Sequence, residues 1–255
     1  MKKTAYIDNN ILIDFEDNEI GRFDLIENVD NRIVDLYYSA AHLQEAHEMK
    51  ESDPSSFHSR LERRCKSISR LTKNKYFYHE LPSNQVHKMI LEPKEVYETI
   101  TAVSFGQSMM KAMMNMIDEE QKKSFREQLN INPLRINNYS PKEVIEHINT
   151  KLGLFGDMSI VKMVEQSIDF HPQGKTFGLH NRIAGLFEFI DMIGYWKDKY
   201  TQKSNYARLW DSNHCYFGIF CDYFISNDRR TRNKAKVAYE IYNIATKVTS
   251  STGSE

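Results

Sequence analysis

The sequence contains few of the residues that interrupt regular structure or cross-link a chain. Its 255 residues include ten glycines, six prolines and three cysteines. So little glycine and proline excludes a collagen-like or low-complexity chain, and 40% hydrophobic residues are enough for a folded core. The odd number of cysteines (Cys65, Cys215 and Cys221), without metal-site spacing, argues against a disulfide framework. We therefore expect a helix-rich globular protein with reduced thiols.

Long apolar runs and net charge are also missing. No run approaches the ~18 residues of a membrane span, and the few apolar residues before Asp8 are too short for a signal-peptide core. We expect a cytoplasmic protein that makes no membrane contact. The formal net charge of −1 provides no global field for a polyanion, so contact with nucleic acid would need a local basic patch.

The first third of the chain alternates between strand and helix patterns. Apolar runs predict three strands, and helical patterns follow the first two of them. The predicted strands are Thr4–Ile7, Asn31–Ser39 and Lys75–Leu81. This β-α-β-α-β order is typical of a parallel sheet with crossover helices.

The middle of the chain is helical in pattern, and the strand pattern returns only near the end. We predict a helix over Asp211–Cys221, a short strand over Asp222–Asp228 and a basic final helix over Arg229–Val248. The predicted domains are an α/β core (1–90 and 205–248), a helical insertion (91–204) and a disordered tail (249–255). Seven of the eleven methionines lie between Met109 and Met163. They fill gaps in a helical core or, alternatively, form a partner-binding surface.

Four acids are predicted to lie where a parallel α/β sheet binds ligands, outside the carboxyl ends of its strands. They are Asp8, Glu45, Asp211 and Asp228. The aspartates could be helix N-caps, worth about 1 kcal/mol each, and Glu45 could be a solvated helix residue. As a cluster, however, four carboxylates repel one another, and a divalent cation removes that repulsion. Oxygen ligands of this kind suit Mg²⁺ or Mn²⁺.

Four segments, in this order, resemble the PIN-like nuclease superfamily: "YIDNNILIDF", "YYSAAHLQEA", "DSNH" and "FISNDRRTRNKA". The resemblance covers about residues 1–80 and 205–248 and leaves out the helical middle. It implies a PIN-like (Rossmannoid) three-layer α/β/α fold with a central, mainly parallel sheet and a large all-helical insertion. Under it, the four acids match metal-binding positions, and Asn10 and Asn227 match polar positions beside them.

The resemblance implies a function as well. It is that of a metal-dependent endonuclease, most plausibly a ribonuclease, that leaves 5′-phosphate and 3′-hydroxyl ends and serves as a toxin or antiviral defence effector. The alternative is a catalytically silent PIN-like scaffold that binds a protein partner through the helical insertion. A haloacid-dehalogenase-type phosphatase needs Asp-x-Asp after the first strand, and Asp8-Asn9-Asn10 counts against it. Homo-oligomerisation is left open.

Basic and secondary residues complete the candidate site. Phosphate contacts are predicted for Arg229, Arg230, Arg232, Arg63 and Arg64, with a solvated basic face as the alternative. The secondary candidates are Asp222, His42 and His214. Each histidine lies one helical turn from a metal-site acid, at Glu45 and Asp211 respectively, although a structural role is the more common one for a helix histidine. Asp14 is expected to face solvent.

Overall fold

The computed structural model describes residues 3–17, 33–52, 54–81, 83–100, 118–169, 178–198 and 202–251. The chain divides into two compact units. The first unit takes residues 1–107, 217–228 and 246–255, and the second takes residues 108–216 and 229–245. Both units are thus built from segments that are distant in sequence.

The first unit is an α/β structure with a central six-stranded sheet. Its elements are β1 Lys3–Ile7, α1 Asn9–Glu16, β2 Ile33–Ser39, α2 Ala40–His47, α3 Met49–Ser52, α4 Phe57–Thr72, β3 Lys75–Glu80, β4 Gln85–Ile90, α5 Pro93–Ile100, β5 Tyr223–Ile225 and β6 Lys247–Thr249. The strands lie in the order β4-β3-β2-β1-β5-β6, and all pairs are parallel except β3 and β4, which pair antiparallel. The predicted α/β class with a mainly parallel sheet is confirmed.

Alternation along the strands gives the sheet two different buried faces. On one face Ile7 and Leu36 pack in a core with helix residues such as Leu12 and Ile68. On the other face the packing is between aromatic side chains. Tyr6 lies 6.2 Å from Phe77 and 6.0 Å from Phe217, measured between ring centroids. The sheet is therefore covered on both faces, as its hydrophobic strands require.

The strand order reverses at β1. The chain proceeds from β1 to β2 and β3 on one side, and from β5 to β6 on the other. The Asp8 amide donates to the Ile225 carbonyl at 2.8 Å, which joins the carboxyl ends of β1 and β5. Open parallel sheets bind ligands at such a reversal.

Two strands were not predicted. After Glu80 the chain returns as β4, and residues beyond Ala245 form β6. The final helix ends at Ile241 instead of Val248. The disordered-tail prediction is wrong for 249–251, because Thr249 lies in β6 and Ser250 and Ser251 are buried. Residues 252–255 lie outside the described residues.

The second unit is helical. Its helices are α6 Glu119–Gln128, α7 Pro133–Ile136, α8 Pro141–Gly153, α9 Ile160–Asp169, α10 Gly178–Met192, α11 Gln202–Gly218 and α12 Arg229–Ile241. The last two residues of α11 belong to the first unit, and α12, which was predicted to lie in the α/β core, belongs to the second. Of the seven clustered methionines, Met158 and Met163 are half-buried, and the other five, Met109–Met116, lie outside the described residues.

A buried ionic network holds the helices of the second unit together. Asp191, which is 3% exposed, lies 3.0 Å from the Lys122 ammonium, 3.3 Å from the Arg208 guanidinium and 3.4 Å from the Lys234 ammonium. Lys234 also contacts Asp198 at 2.8 Å. Burial raises the pKa of Asp191, but Lys234, Arg208 and Lys122 together bring it below its ordinary value. None of the described helices has the length and apolar character needed to span a bilayer.

Candidate functional site at the reversal of strand order

Asp8 caps helix α1 at the carboxyl end of β1. Its side chain is buried, and both carboxylate oxygens accept hydrogen bonds. Oδ1 accepts from the Asn9 amide at 2.6 Å, and Oδ2 accepts from Asn10 Nδ2 and from Ser226 Oγ, each at 2.6 Å. The prediction left open whether Asp8 is a cap or a ligand, and the structure shows that it is a cap with two further side-chain donors.

Ser226 is the centre of the contacts between the ends of β1 and β5. Its hydroxyl donates to Asp8 and accepts from Asn10 Nδ2 at 3.0 Å and from the Asp228 amide at 3.2 Å. Ser226 is fully buried. The triplet Ser226-Asn227-Asp228 therefore folds over the residues that follow β1, although 216 positions separate Asn10 from Ser226.

Asn227 continues these contacts towards α1 and the end of β6. Its amide donates to Asn10 Oδ1 at 2.8 Å, and its side-chain Nδ2 donates to Asp14. Its Oδ1 accepts from the Ser251 amide at 3.0 Å and from the Ser251 hydroxyl at 2.9 Å. Asp14, predicted to face solvent, is half-buried and bonded. We call the six residues the switch-point network: Asp8, Asn10, Asp14, Ser226, Asn227 and Ser251.

His42 has a structural role that explains its position. Nδ1 accepts from the Ser39 amide at 3.2 Å, and Nε2 lies 2.8 Å from the Ile7 carbonyl, so the ring with its proton on Nε2 satisfies both contacts. His42 and Ser39 together form the capping box of α2. This buried residue therefore connects the ends of β1 and β2.

Glu45 lies on α2, the helix that follows β2. Burial raises the pKa of the Tyr6 hydroxyl well above its ordinary value; the hydrogen bond to Ser39 opposes this rise, and the charges of Asp8 and Glu45 add to it. The two carboxylates thus lie within electrostatic reach of one buried hydroxyl.

The four predicted acids lie on different elements of the chain. Among the residues that the structure describes, no three His, Cys, Asp or Glu side chains are grouped so that they could hold a metal ion. Asp228 follows β5 at the same edge as Asp8, and Glu45 lies on α2. Asp211 lies in the middle of α11, in a residue range of the second unit, and does not begin a helix as predicted.

Asp222 belongs to the opposite end of the sheet. It precedes β5 and accepts from the Thr4 amide at 2.8 Å, the Thr4 hydroxyl at 3.0 Å and the Lys3 ammonium at 3.3 Å. These bonds, that of the Thr4 amide first, hold the pKa of Asp222 below its ordinary value. The rise of ~3.3 Å per strand residue separates Asp222 from Ser226 by roughly 13 Å, so Asp222 is not part of the candidate site.

The predicted phosphate contacts are divided between buried and exposed side chains. Arg64 is buried and pairs with Glu16 through two bonds of 2.6 and 3.1 Å, and it also donates to Asn9. It holds α4 against α1 and cannot also bind a phosphate. Arg63, by contrast, has a side chain that is 56% exposed.

The basic first turn of α12 contacts its own unit. The Arg229 guanidinium lies 4.6 Å from the centroid of a Trp196 ring, and Arg230 lies 4.0 Å from Asp198. Arg232 is buried. The burial of Arg232 argues against a phosphate contact at that residue, and Arg229 and Arg230 each have a protein partner. His214, also buried, lies on α11 one turn after Asp211.

Comparison of the chain with protein-family models, curated proteins and solved structures finds no significant match.

The sequence predictions missed the roles of Ser226, Asp14 and Ser251. Ser226 belongs to the "SND" triplet at the strand end, where a hydroxyl often bonds to a nearby backbone amide. The run "TKVTS" before Ser251 is rich in β-branched residues and favours a strand. Nothing in the sequence near Asp14 indicates a bond to Asn227, 213 positions away.

Proposed function

We propose that this chain is a PIN-like, metal-dependent nuclease whose reaction takes place at the switch-point network. One observation carries the proposal. Residues from the ends of β1 and β5 meet where the strand order reverses, which is where parallel α/β sheets bind ligands. The proposed preference for RNA and the proposed role as a toxin or defence effector rest on the resemblance of four short segments to the PIN-like superfamily.

The proposed requirement for a divalent cation also rests on this resemblance. The edge offers hard oxygen donors of the kind that Mg²⁺ and Mn²⁺ prefer. In the arrangement observed, however, the residues do not fit a bound metal ion, because Asp8 is engaged by three donors and no group of three acids forms among the described residues. The reaction is therefore described through the residues of the chain alone.

The proposed reaction is hydrolysis of a phosphodiester. A water oxygen attacks the phosphorus, the bond from phosphorus to the 3′-oxygen breaks, and the leaving oxygen takes a proton from solvent. Asp8, held by Asn9, Asn10 and Ser226, is the acceptor proposed for the proton of the attacking water. The products are a 5′-phosphate and a 3′-hydroxyl.

A metal-titrated cleavage assay with two matched variants tests this proposal. Asp8→Asn and Asp222→Asn each alter an aspartate that accepts three hydrogen bonds, but at opposite ends of the sheet. With Mn²⁺ or Mg²⁺, we expect the wild type and Asp222→Asn to cleave labelled single-stranded RNA. We expect Asp8→Asn to lose at least ~100-fold in rate, the effect typical of removing a positioned general base.

Both variants should lose some stability, because each places an amide where a carboxylate accepts donors, at about 1–3 kcal/mol. Urea unfolding measures the stability of each variant, so that the cleavage rates are compared under conditions in which both are folded. Equal rates for the two variants, or no cleavage with any divalent cation, would contradict the proposal. Single-stranded DNA in a parallel reaction decides the substrate class.

A second candidate function is a catalytically silent scaffold. The hydrogen bonding of Asp8 favours it, since the cap and the two side-chain donors already engage three of the roughly four acceptor positions of the carboxylate. Calorimetric titration with Mn²⁺ distinguishes the two candidates. Binding that Asp8→Asn abolishes supports the nuclease, and absence of binding together with absence of cleavage supports the scaffold.

A further inference from the structure

Helix α4 carries basic side chains that the structure divides into two groups. Arg64 points inward to Glu16, as described above. Arg63, Lys66 and Arg70 are spaced i, i+3 and i+7, so they share one face of the helix. Along the helix axis they are separated by ~4.5 and ~6 Å, from the rise of 1.5 Å per residue. They form a row of cations.

This row borders a groove between α4 and the end of α1. The groove has a volume of about 330 Å³. Its lining includes Phe15, Ser59, Glu62, Arg63, Lys66 and Arg70. The Arg70 guanidinium lies 5.3 Å from the centroid of the Phe15 ring, which places a cation beside an aromatic ring. Three cations face one acid in this set.

The acidic partners near the groove are exposed and weakly held. Lys66 lies 2.6 Å from Glu62, with side chains 76% and 67% exposed, and Arg63 lies 3.7 Å from Asp17, with both side chains 56% exposed. Arg63 also donates to the Glu16 carbonyl. Ion pairs this exposed contribute little to stability. A phosphate can therefore compete with the carboxylates for these cations.

The groove lies about one helix length from Asp8, at the other end of α1. Asp8 caps the start of α1, and Phe15 is in its last turn. Seven residues at 1.5 Å each give a separation of ~10 Å along the axis.

We propose that this groove binds the backbone of single-stranded nucleic acid, with phosphates on Arg63, Lys66 and Arg70 and a base stacked on the pair of Phe15 and Arg70. The identity of the ligand rests on the proposed nuclease function. The Phe15 ring favours nucleic acid over an acidic peptide, because aromatic side chains in basic grooves provide stacking for bases.

Binding measured without cleavage tests this groove. The full chain in EDTA is titrated against a fluorescein-labelled 12-nucleotide oligouridine, and anisotropy is read at several salt concentrations. The variant is Arg63→Gln, Lys66→Gln and Arg70→Gln. The matched control makes the same change in charge at three exposed lysines of the second unit, Lys123, Lys142 and Lys162.

We expect the groove variant to weaken binding at least ~10-fold and to reduce the slope of log K against log salt by about 2, since each single-strand phosphate contact contributes ~0.7. The control variant should keep the slope of the wild type. Equal losses in both variants, or equal displacement of the RNA by polyglutamate and by unlabelled RNA, would overturn the proposal.

Two single substitutions keep the test valid if the triple variant fails to fold. Lys66→Gln, at a highly exposed position, should lower the slope by about 0.7. Phe15→Leu should weaken oligouridine binding about tenfold and leave inorganic polyphosphate binding unchanged, because only the RNA has bases to stack. Unchanged RNA binding in both substitutions would reject the groove.

The groove and the nuclease can fail separately. If RNA binding depends on the groove but no divalent cation supports cleavage, the groove proposal is supported and the nuclease proposal is rejected. If cleavage depends on Asp8 but RNA binding is unchanged by substitution of Arg63, Lys66 and Arg70, the groove proposal is rejected and the nuclease proposal is supported.

Discussion

Asp8 and Asp222 show how position decides the role of a residue in this fold. Each accepts three hydrogen bonds at an end of the parallel pair β1 and β5. Asp222 lies at the amino edge, where its partners are Lys3 and Thr4 at the start of β1. Asp8 lies at the carboxyl edge, where its partners come from α1 and from the end of β5. Only the carboxyl edge is the ligand-binding edge of such sheets.

Ser226→Ala tests the central hydroxyl of the switch-point network. The substitution removes the donor to Asp8 and the acceptor of the Asn10 amide and the Asp228 backbone amide. Because these groups are buried or half-buried, we expect a loss of about 1–3 kcal/mol in the free energy of unfolding, measured in urea. The exposed Ser83→Ala should change it by less than about 0.5 kcal/mol. An equal effect of the two changes would contradict the role given to Ser226.

At the scale of elements, β6 has more influence than its three residues suggest. It pairs parallel with β5, and the chain that leaves it brings Ser251 to Asn227. Asn227 in turn bonds to Asn10 and Asp14 on α1. The last strand therefore holds the loop after β5 against the helix that follows β1.

Substitution of Ser251 tests this connection. Ser251→Ala removes the hydroxyl bond to Asn227, and Ser251→Pro removes the backbone donor as well. We expect hydrogen exchange at the Asn227 amide to accelerate about threefold in the first variant and more than ~10-fold in the second, since lost contacts lower the free energy of local opening. Exchange rates equal to those of the wild type in both variants would show that β6 does not hold the loop.

At the scale of the molecule, the two units are stabilised differently. The first unit buries an apolar and aromatic core around its sheet. The second unit adds buried charges, with Lys122, Arg208 and Lys234 around Asp191. Removing one partner of a buried ion pair leaves an uncompensated charge, which is far more destabilising than loss of an exposed pair.

Asp191→Asn should destabilise the second unit by about 3–5 kcal/mol. The exposed Asp157→Asn, whose side chain is 99% exposed, should have almost no effect. Both tryptophans, Trp196 and Trp210, fall in the residue range of the second unit, so their fluorescence during urea unfolding reports on it. Similar losses in the two variants would contradict the importance of the network.

The Asp191 carboxylate also predicts that the stability of the second unit depends on pH. The pKa of Asp191 is lower in the folded state, so the folded state binds fewer protons than the unfolded state. Its stabilising contribution is complete above the unfolded pKa of ~3.9 and is lost as the pH falls through the lower folded value. Tryptophan-monitored stability should therefore decline more steeply below about pH 4 in the wild type than in Asp191→Asn.

The sequence by itself determined most of the elements of the α/β unit. The strands near Thr4, Ser39 and Phe224, the caps at Asp8 and Ser39 and the basic face of α4 are local patterns, visible within a few residues. Such short-range patterns also placed Asp8, Asn10, Asn227 and Asp228 at strand ends. They missed the strands β4 and β6, because whether a segment forms a strand depends on the partner with which it pairs.

Only the tertiary structure decided which of these residues meet. The pairing of β1 with β5 brings Ser226 to Asp8 across 218 positions and leaves Asp222 at the far end of the sheet. The packing of α4 against α1 turns Arg64 inward to Glu16 and leaves Arg63, Lys66 and Arg70 along a groove. The physical reason is that hydrogen bonds and burial act between neighbours in space, and two residues with the same local pattern differ only in the neighbours that the folded chain supplies.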